Sequence, residues 1–158
     1  MKKTFIIIGI LAILISGCRN RSNDANMQEK SIPCSEFANN MPIWSVGYCV
    51  DVHDFYLVRG NLLDCIKHDI KKVILAWNEN SAIKIEFAKI ENGTLYVNIP
   101  DSEKLTQRMG STGAWTTMAA MVYTLTETHT YVYIDFVEGD HAGPGKYSRK
   151  SFQFSVRE

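Results

Sequence analysis

Four small groups of residues in this chain have types and spacings that can do chemistry. Asp51, His53 and Asp54 set two carboxylates beside an imidazole, a combination that ligates metal ions or moves protons near neutral pH. Glu138, Asp140 and His141 repeat that composition next to Gly139 and Gly143, where glycine lets a ligand approach the backbone. Gly110-Ser111-Thr112-Gly113 offers hydroxyls and free N–H groups to an anion, or Ser111 as a nucleophile. No lysine follows as it would in a P-loop, and the G-x-S-x-G elbow of the hydrolases is missing. His129 falls at the far end of the helix that Ser111 begins, too distant to serve as its base. The fourth group is Tyr96, Tyr131 and Tyr133. Placed on neighbouring strands, they expose flat rings that can stack on sugars or anchor a protein contact, because aromatics bury much area at low entropic cost. Each group also has a plainer use: a solvated turn, a flexible loop, a helix cap and β propensity, in that order.

The elements that must position these groups follow from the pattern of apolar residues. Asn61 caps a helix with Asp64 in its first turn. Leu63, Ile66, Ile70, Val73, Ile74 and Trp77 follow at helical spacing until turn residues stop it at Asn78 to Ser81. Two alternating strands come next, with Ile83, Ile85 and Phe87 facing inward on the first. Leu95, Val97 and Ile99 do so on the second, after a Glu91-Asn92-Gly93 turn. A second helix, capped by Ser111 or Thr112, carries Trp115, Met118, Ala119, Val122 and Leu125. Ala120, Met121 and Tyr123 widen its apolar stripe, so it is buried on more than one side. Val132, Ile134 and Phe136 mark the best strand. Glu138 to Lys146 is a loop, and Phe152, Phe154 and Val156 make a last strand. One or two strands between Trp44 and Val58 complete the order β–α–β–β–α–β–β. That order predicts an α+β fold, a two-layer sandwich with two helices packed on one face of a small mixed or antiparallel sheet. The other face then turns Lys84, Glu86, Tyr96, Tyr131 and Tyr133 outward.

Upstream of this domain the chain reads as an address. Lys2 and Lys3 precede an apolar run from Phe5 to Ile15, which closes on Ser16-Gly17-Cys18. This is the layout of a secretory signal peptide, and it is too short to span a bilayer. Its end resembles a bacterial lipobox, in which Cys18 takes a diacylglycerol and becomes the N-terminus. Residues 1–17 are then the lipoprotein signal peptide, 18–32 a polar tether without periodicity, and 33–158 a single domain. The expected location is extracytoplasmic, anchored to a membrane through the lipid on Cys18.

Cys34, Cys49 and Cys65 remain in an oxidising compartment, an odd number. Cys34–Cys49 and Cys49–Cys65 are both open pairings. No cysteine or histidine has zinc spacing, so no metal site is expected from them. Seventeen basic residues balance seventeen acidic ones, and losing Lys2 and Lys3 leaves a slight acidic excess. That charge excludes the electrostatic footprint of a nucleic-acid-binding protein. Nothing in the chain calls for a cofactor.

The segment Gly110-Ser111 … Val122-Tyr123-Thr124-Leu125-Thr126, followed by Val132-Tyr133-Ile134-Asp135-Phe136-Val137-Glu138-Gly139, resembles the GerMN domain of sporulation and spore germination proteins, which also occurs in envelope lipoproteins. The similarity lies in the Thr-Leu-Thr ending of a buried helix, the hydrophobic strand after it and the glycine turn. Gly93-Thr94-Leu95-Tyr96-Val97-Asn98-Ile99 fits the family's strand before that helix. The sequence departs where the family often has an acid just inside the second helix, since Ala114 and Thr116 stand there. The resemblance implies a non-catalytic module that mediates protein contacts or binds cell-wall components. The expected partner is thus an envelope protein complex or a cell-wall glycan. Tyr96, Tyr131 and Tyr133 would be the contact face, and Glu138, Asp140 and His141 its rim. The alternative is a small envelope hydrolase or metal-dependent enzyme using Asp51, His53 and His141.

Overall fold

Residues 41–157 are described by a computed structural model. Cys18, Cys34 and the expected signal peptide and tether lie outside the described residues.

β1 (Ser45–Cys49) and β2 (Asp54–Val58) form an antiparallel hairpin. The chain then builds α1 (Leu63–Ile66) and α2 (Ile70–Asn80), where the apolar spacing predicts one helix. Asp69 causes the break. Its backbone is extended, and its carboxylate accepts from the N–H groups of Lys71 and Lys72, so α2 has its own N-cap. The expected cap at Asn61 is not used, and α1 begins without a side-chain cap. Val73, Ile74, Ala76 and Trp77 bury one face of α2, and Trp77 Nε1 donates to the carbonyl of Ile83 at 2.7 Å.

β3 (Glu86–Glu91) and β4 (Thr94–Asn98) make the expected hairpin. Asn92 and Gly93 both have positive φ, 48° and 72°, as a two-residue turn matched to strand twist requires. The inward register of the first strand differs from expectation. Ile83 and Ile85 are buried, but they precede the strand, and every residue of β3 is exposed, Phe87 included. β3 is the edge strand, and a bulge between Phe87 and Lys89 blunts it.

A π-helical turn at Lys104–Arg108 precedes α3 (Gly110–Leu125), and the chain breaks between them at Met109 and at Gly110, whose φ is 68°. α3 starts without a side-chain cap, so the expected cap at Ser111 or Thr112 is not used. Thr106 instead secures the turn, donating its N–H and hydroxyl to the carbonyl of Ser102. Met118 through Leu125 are all buried, so the second half of α3 is enclosed on every side.

β5 (Tyr131–Asp135) lies parallel to β4 and antiparallel to the short β6 (Gly145–Tyr147). β7 (Ser155–Arg157) pairs in parallel with β2. The α+β class is therefore observed, with the strands divided between two sheets, β1-β2-β7 and β3-β4-β5-β6. The last strand leaves the main sheet because a 3-10 turn at Arg149–Ser151 redirects the chain after β6. Leu95, Val97, Val132 and Ile134 line the inner face of the four-stranded sheet. They share one core with Met121 and Leu125 of α3, Trp77 of α2 and Leu57 of β2. α3 packs against both α2 and β1, so it serves the two sheets at once.

Cys49 is disulfide-bonded while Cys65 is free and exposed. The Cys49–Cys65 pairing is thereby excluded, and the partner of Cys49 lies outside the described residues.

Candidate functional site

The outer face of the four-stranded sheet is set by register. Lys89 of β3 stands opposite Tyr96 of β4, Tyr96 opposite Tyr133 of β5, and Tyr133 opposite Lys146 of β6. The result is one row across four strands, Lys–Tyr–Tyr–Lys, with Tyr131 two residues along β5 on the same side. The rings of Tyr96 and Tyr133 lie 5.5 Å apart at 30°. Lys89 Nζ sits 4.9 Å from the centre of the Tyr96 ring, and Lys146 Nζ 4.1 Å from that of Tyr131. Tyr131 is 43% exposed, whereas its neighbours Val132 and Ile134 are fully buried. Strand alternation alone produces this division, since successive side chains point to opposite faces.

Lys89 is also ion-paired with Glu91 at 2.8 Å, which raises its pKa. Lys146 and Lys150 have no ion pair among the described residues. Beside Tyr131 a cleft of about 280 Å³ opens, lined by His129, Thr130, Tyr131, Ser148, Arg149 and Lys150 among others. Burial lowers the pKa of His129, so the ring is neutral at pH 7.

The three expected rim residues have different surroundings. Gly139 presses the Glu138 to Lys146 loop against the π-helical turn, and a Cβ there would come within 2.6 Å of Thr106 Cβ. The His141 N–H donates to the Thr106 carbonyl at 3.2 Å. Glu138 lines a groove with Pro100, Ser102 and Thr106, and Asp140 is exposed on the same loop. His141 turns to the start of α3, where its Nδ1 lies 3.2 Å from Ser111 Oγ. Phe55, Thr112 and Trp115 join this pair in an open cleft of about 450 Å³. The serine thus meets a base that the sequence reading did not assign to it. Thirty residues separate the two, and no local spacing announces the contact.

Asp51 and His53 sit in the β1–β2 turn, with His53 at a positive φ of 50° and its Nδ1 3.2 Å from the Tyr48 hydroxyl. Among the described residues, no three His, Cys, Asp or Glu side chains gather as metal ligands would. The metal-dependent arrangement of Asp51, His53 and His141 is therefore not formed. The turn and the loop are docked on different elements.

One arrangement escaped the sequence entirely. The Glu127 carboxylate, just past α3 and only 8% exposed, accepts from Trp44 Nε1 at 2.6 Å, from Arg59 at 2.9 Å and from Arg149 at 2.7 Å. Arg149 also donates to Thr126 Oγ1 and the Tyr123 carbonyl, and its guanidinium lies over the rings of Trp44 and Tyr123 at 5.3 and 5.0 Å. Burial pushes the Glu127 carboxyl up, but the hydrogen bonds from Arg59, Trp44 and Arg149 outweigh it and hold the group below its ordinary value. The same contact, with a second from Asp64, raises Arg59. These donors come from the residue before β1, the residue after β2 and the 3-10 turn, so Glu127 clamps those three segments to the end of α3.

No protein family, curated protein or solved structure matches this chain.

Proposed function

We propose that this protein is a lipid-anchored, non-catalytic binding or assembly module of the bacterial cell envelope. Its tyrosine face contacts a protein complex or a cell-wall glycan. The observation that carries the reading is the cross-strand row Lys89–Tyr96–Tyr133–Lys146 with Tyr131 beside it. Three large aromatic rings on one outward sheet face offer the kind of anchor that binding sites use. The signal-peptide layout of residues 1–17 before Cys18 and the resemblance to the GerMN domain support the address and the module class. Among the described residues no helix is long and apolar enough to cross a membrane, so on this reading attachment falls to the lipid.

Replacing Tyr131 and Tyr133 together by Ser tests the contact face. The variant is expected to fold and to lose the partner caught by photocrosslinking from position 133 in living cells. Capture by the double variant equal to wild type removes the face from the reading.

A hydrolase is the second reading, and one observation favours it: the 3.2 Å approach of Ser111 Oγ to His141 Nδ1 in an open cleft. Labelling by an active-site serine phosphonate, lost in Ser111→Ala, would establish it. The non-catalytic reading expects no labelling at Ser111.

A further inference from the structure

The tyrosine face does not end at the tyrosines. Tyr131 belongs to the row, and it also lines the cleft that holds Arg149, Lys150, His129 and Ser148. We infer that the face and this cleft form one site for an acidic saccharide, with sugar rings on the tyrosines and the sugar's carboxylate or phosphate on Lys150 and Lys146. The inference rests on the binding-module reading and names the class of its partner.

Charge argues first. Lys146 and Lys150 lack ion pairs among the described residues, and none of the residues lining the cleft is acidic. The nearest buried carboxylate, Glu127, is already saturated by Trp44, Arg59 and Arg149. Arg149 borders the cleft but is engaged by that clamp, so the uncompensated positive charge is that of Lys150 and Lys146. Ser148 and Thr130 add neutral polar groups of the kind that accompany anion recognition.

Shape argues for a sugar. The row contains no aliphatic side chain, and a pyranose offers flat C–H patches that suit the negative faces of aromatic rings. Lys146 now covers one face of the Tyr131 ring. An exposed contact of that kind holds it weakly, by about 0.5–1 kcal/mol, so an arriving anion can draw it away.

The test uses the full-length protein in detergent and three probes. These are neutral chitotriose, the N-acetylglucosamine–N-acetylmuramic acid disaccharide, and N-acetylglucosamine 1-phosphate. Binding is read by tyrosine and tryptophan fluorescence and by chemical shifts. The acidic probes are expected to bind roughly fivefold or more tightly than chitotriose at low salt, with the margin shrinking as salt rises. Which acidic probe leads tells carboxylate from phosphate. Lys150→Gln and Lys146→Gln together should erase the margin and leave chitotriose binding in place, while Tyr131→Ser weakens all three. Both lysines are exposed, so an unchanged melting curve certifies the variant.

Equal affinity for neutral and acidic probes overturns the inference and leaves the tyrosine-face reading standing. No saccharide binding, with a protein crosslinked from position 133, does the same and assigns the face to a protein. Failure of every probe and of crosslinking removes both.

Discussion

Two regions of this molecule combine aromatic rings with cations, and they differ in what surrounds the cation. At the clamp, Arg149 lies over Trp44 and Tyr123, and its charge is met at 2.7 Å by the nearly covered Glu127 carboxylate. On the outer sheet face, Lys146 lies over Tyr131 and Lys89 over Tyr96, open to solvent. The first set has its polar groups satisfied internally, so it holds the fold. The second keeps ring faces and one unpaired ammonium available, so it is suited to a partner. Similar side chains serve stability in one place and recognition in the other, and burial together with a fixed carboxylate decides which.

The sharpest way to break this comparison is Glu127→Ala. It strands two arginines and the Trp44 indole, and a loss of about 3 kcal/mol is expected in denaturant melts. A loss under about 1 kcal/mol would make the clamp no more structural than the open face.

Acid gives the next effect. The Glu127 carboxyl is held below its ordinary 4.5. Its contribution is therefore full at neutral pH, begins to fall near 4.5 and is gone below the lowered folded value. His129, lowered from 6.5 by burial, contributes fully above 6.5 and loses its share as pH drops through its folded value. The melting temperature should be flat from pH 7 to 8, decline gently below 6.5 and fall steeply below 4.5. High salt should change the clamp's share little, because it is largely covered.

The tyrosine face should hardly register in such melts. Tyr131→Ser with Tyr133→Ser removes a ring pair and one cation contact, and about 1 kcal/mol is expected. A loss as large as that of Glu127→Ala would place those rings among the structural ones. Lys146→Gln is the smallest change, within about 0.5 kcal/mol, and any effect it has should appear in binding.

Much of the local structure was readable because it depends on periods of two and 3.6 residues. The alternation in Leu95 to Ile99 and Val132 to Phe136 placed the tyrosines outward, and the parallel pairing of β4 with β5 then brought Tyr96 to Tyr133. Asn92-Gly93 announced its own turn. The split between α1 and α2 was harder to see, since Asp69 falls within an otherwise unbroken apolar stripe and acts through a cap. α3 starts at Gly110 without a side-chain cap, which leaves the Ser111 hydroxyl to meet His141. The edge position of β3, which exposes Phe87, cannot be read from alternation, because alternation says which way a residue points and not whether anything lies there.

By itself the sequence determined the α+β class, the hairpin, the buried second helix and the outward tyrosines. Those features arise from neighbours a few residues apart, whose geometry the backbone dictates. Only the tertiary structure decided the division into two sheets, the Glu127 clamp, the Ser111–His141 approach and the union of Tyr131 with a cationic cleft. Most of these join side chains far apart in the chain, 22 residues for Glu127–Arg149, 30 for Ser111–His141 and 68 for Arg59–Glu127, and such meetings depend on how whole elements pack, for which no short stretch of chain carries a signal.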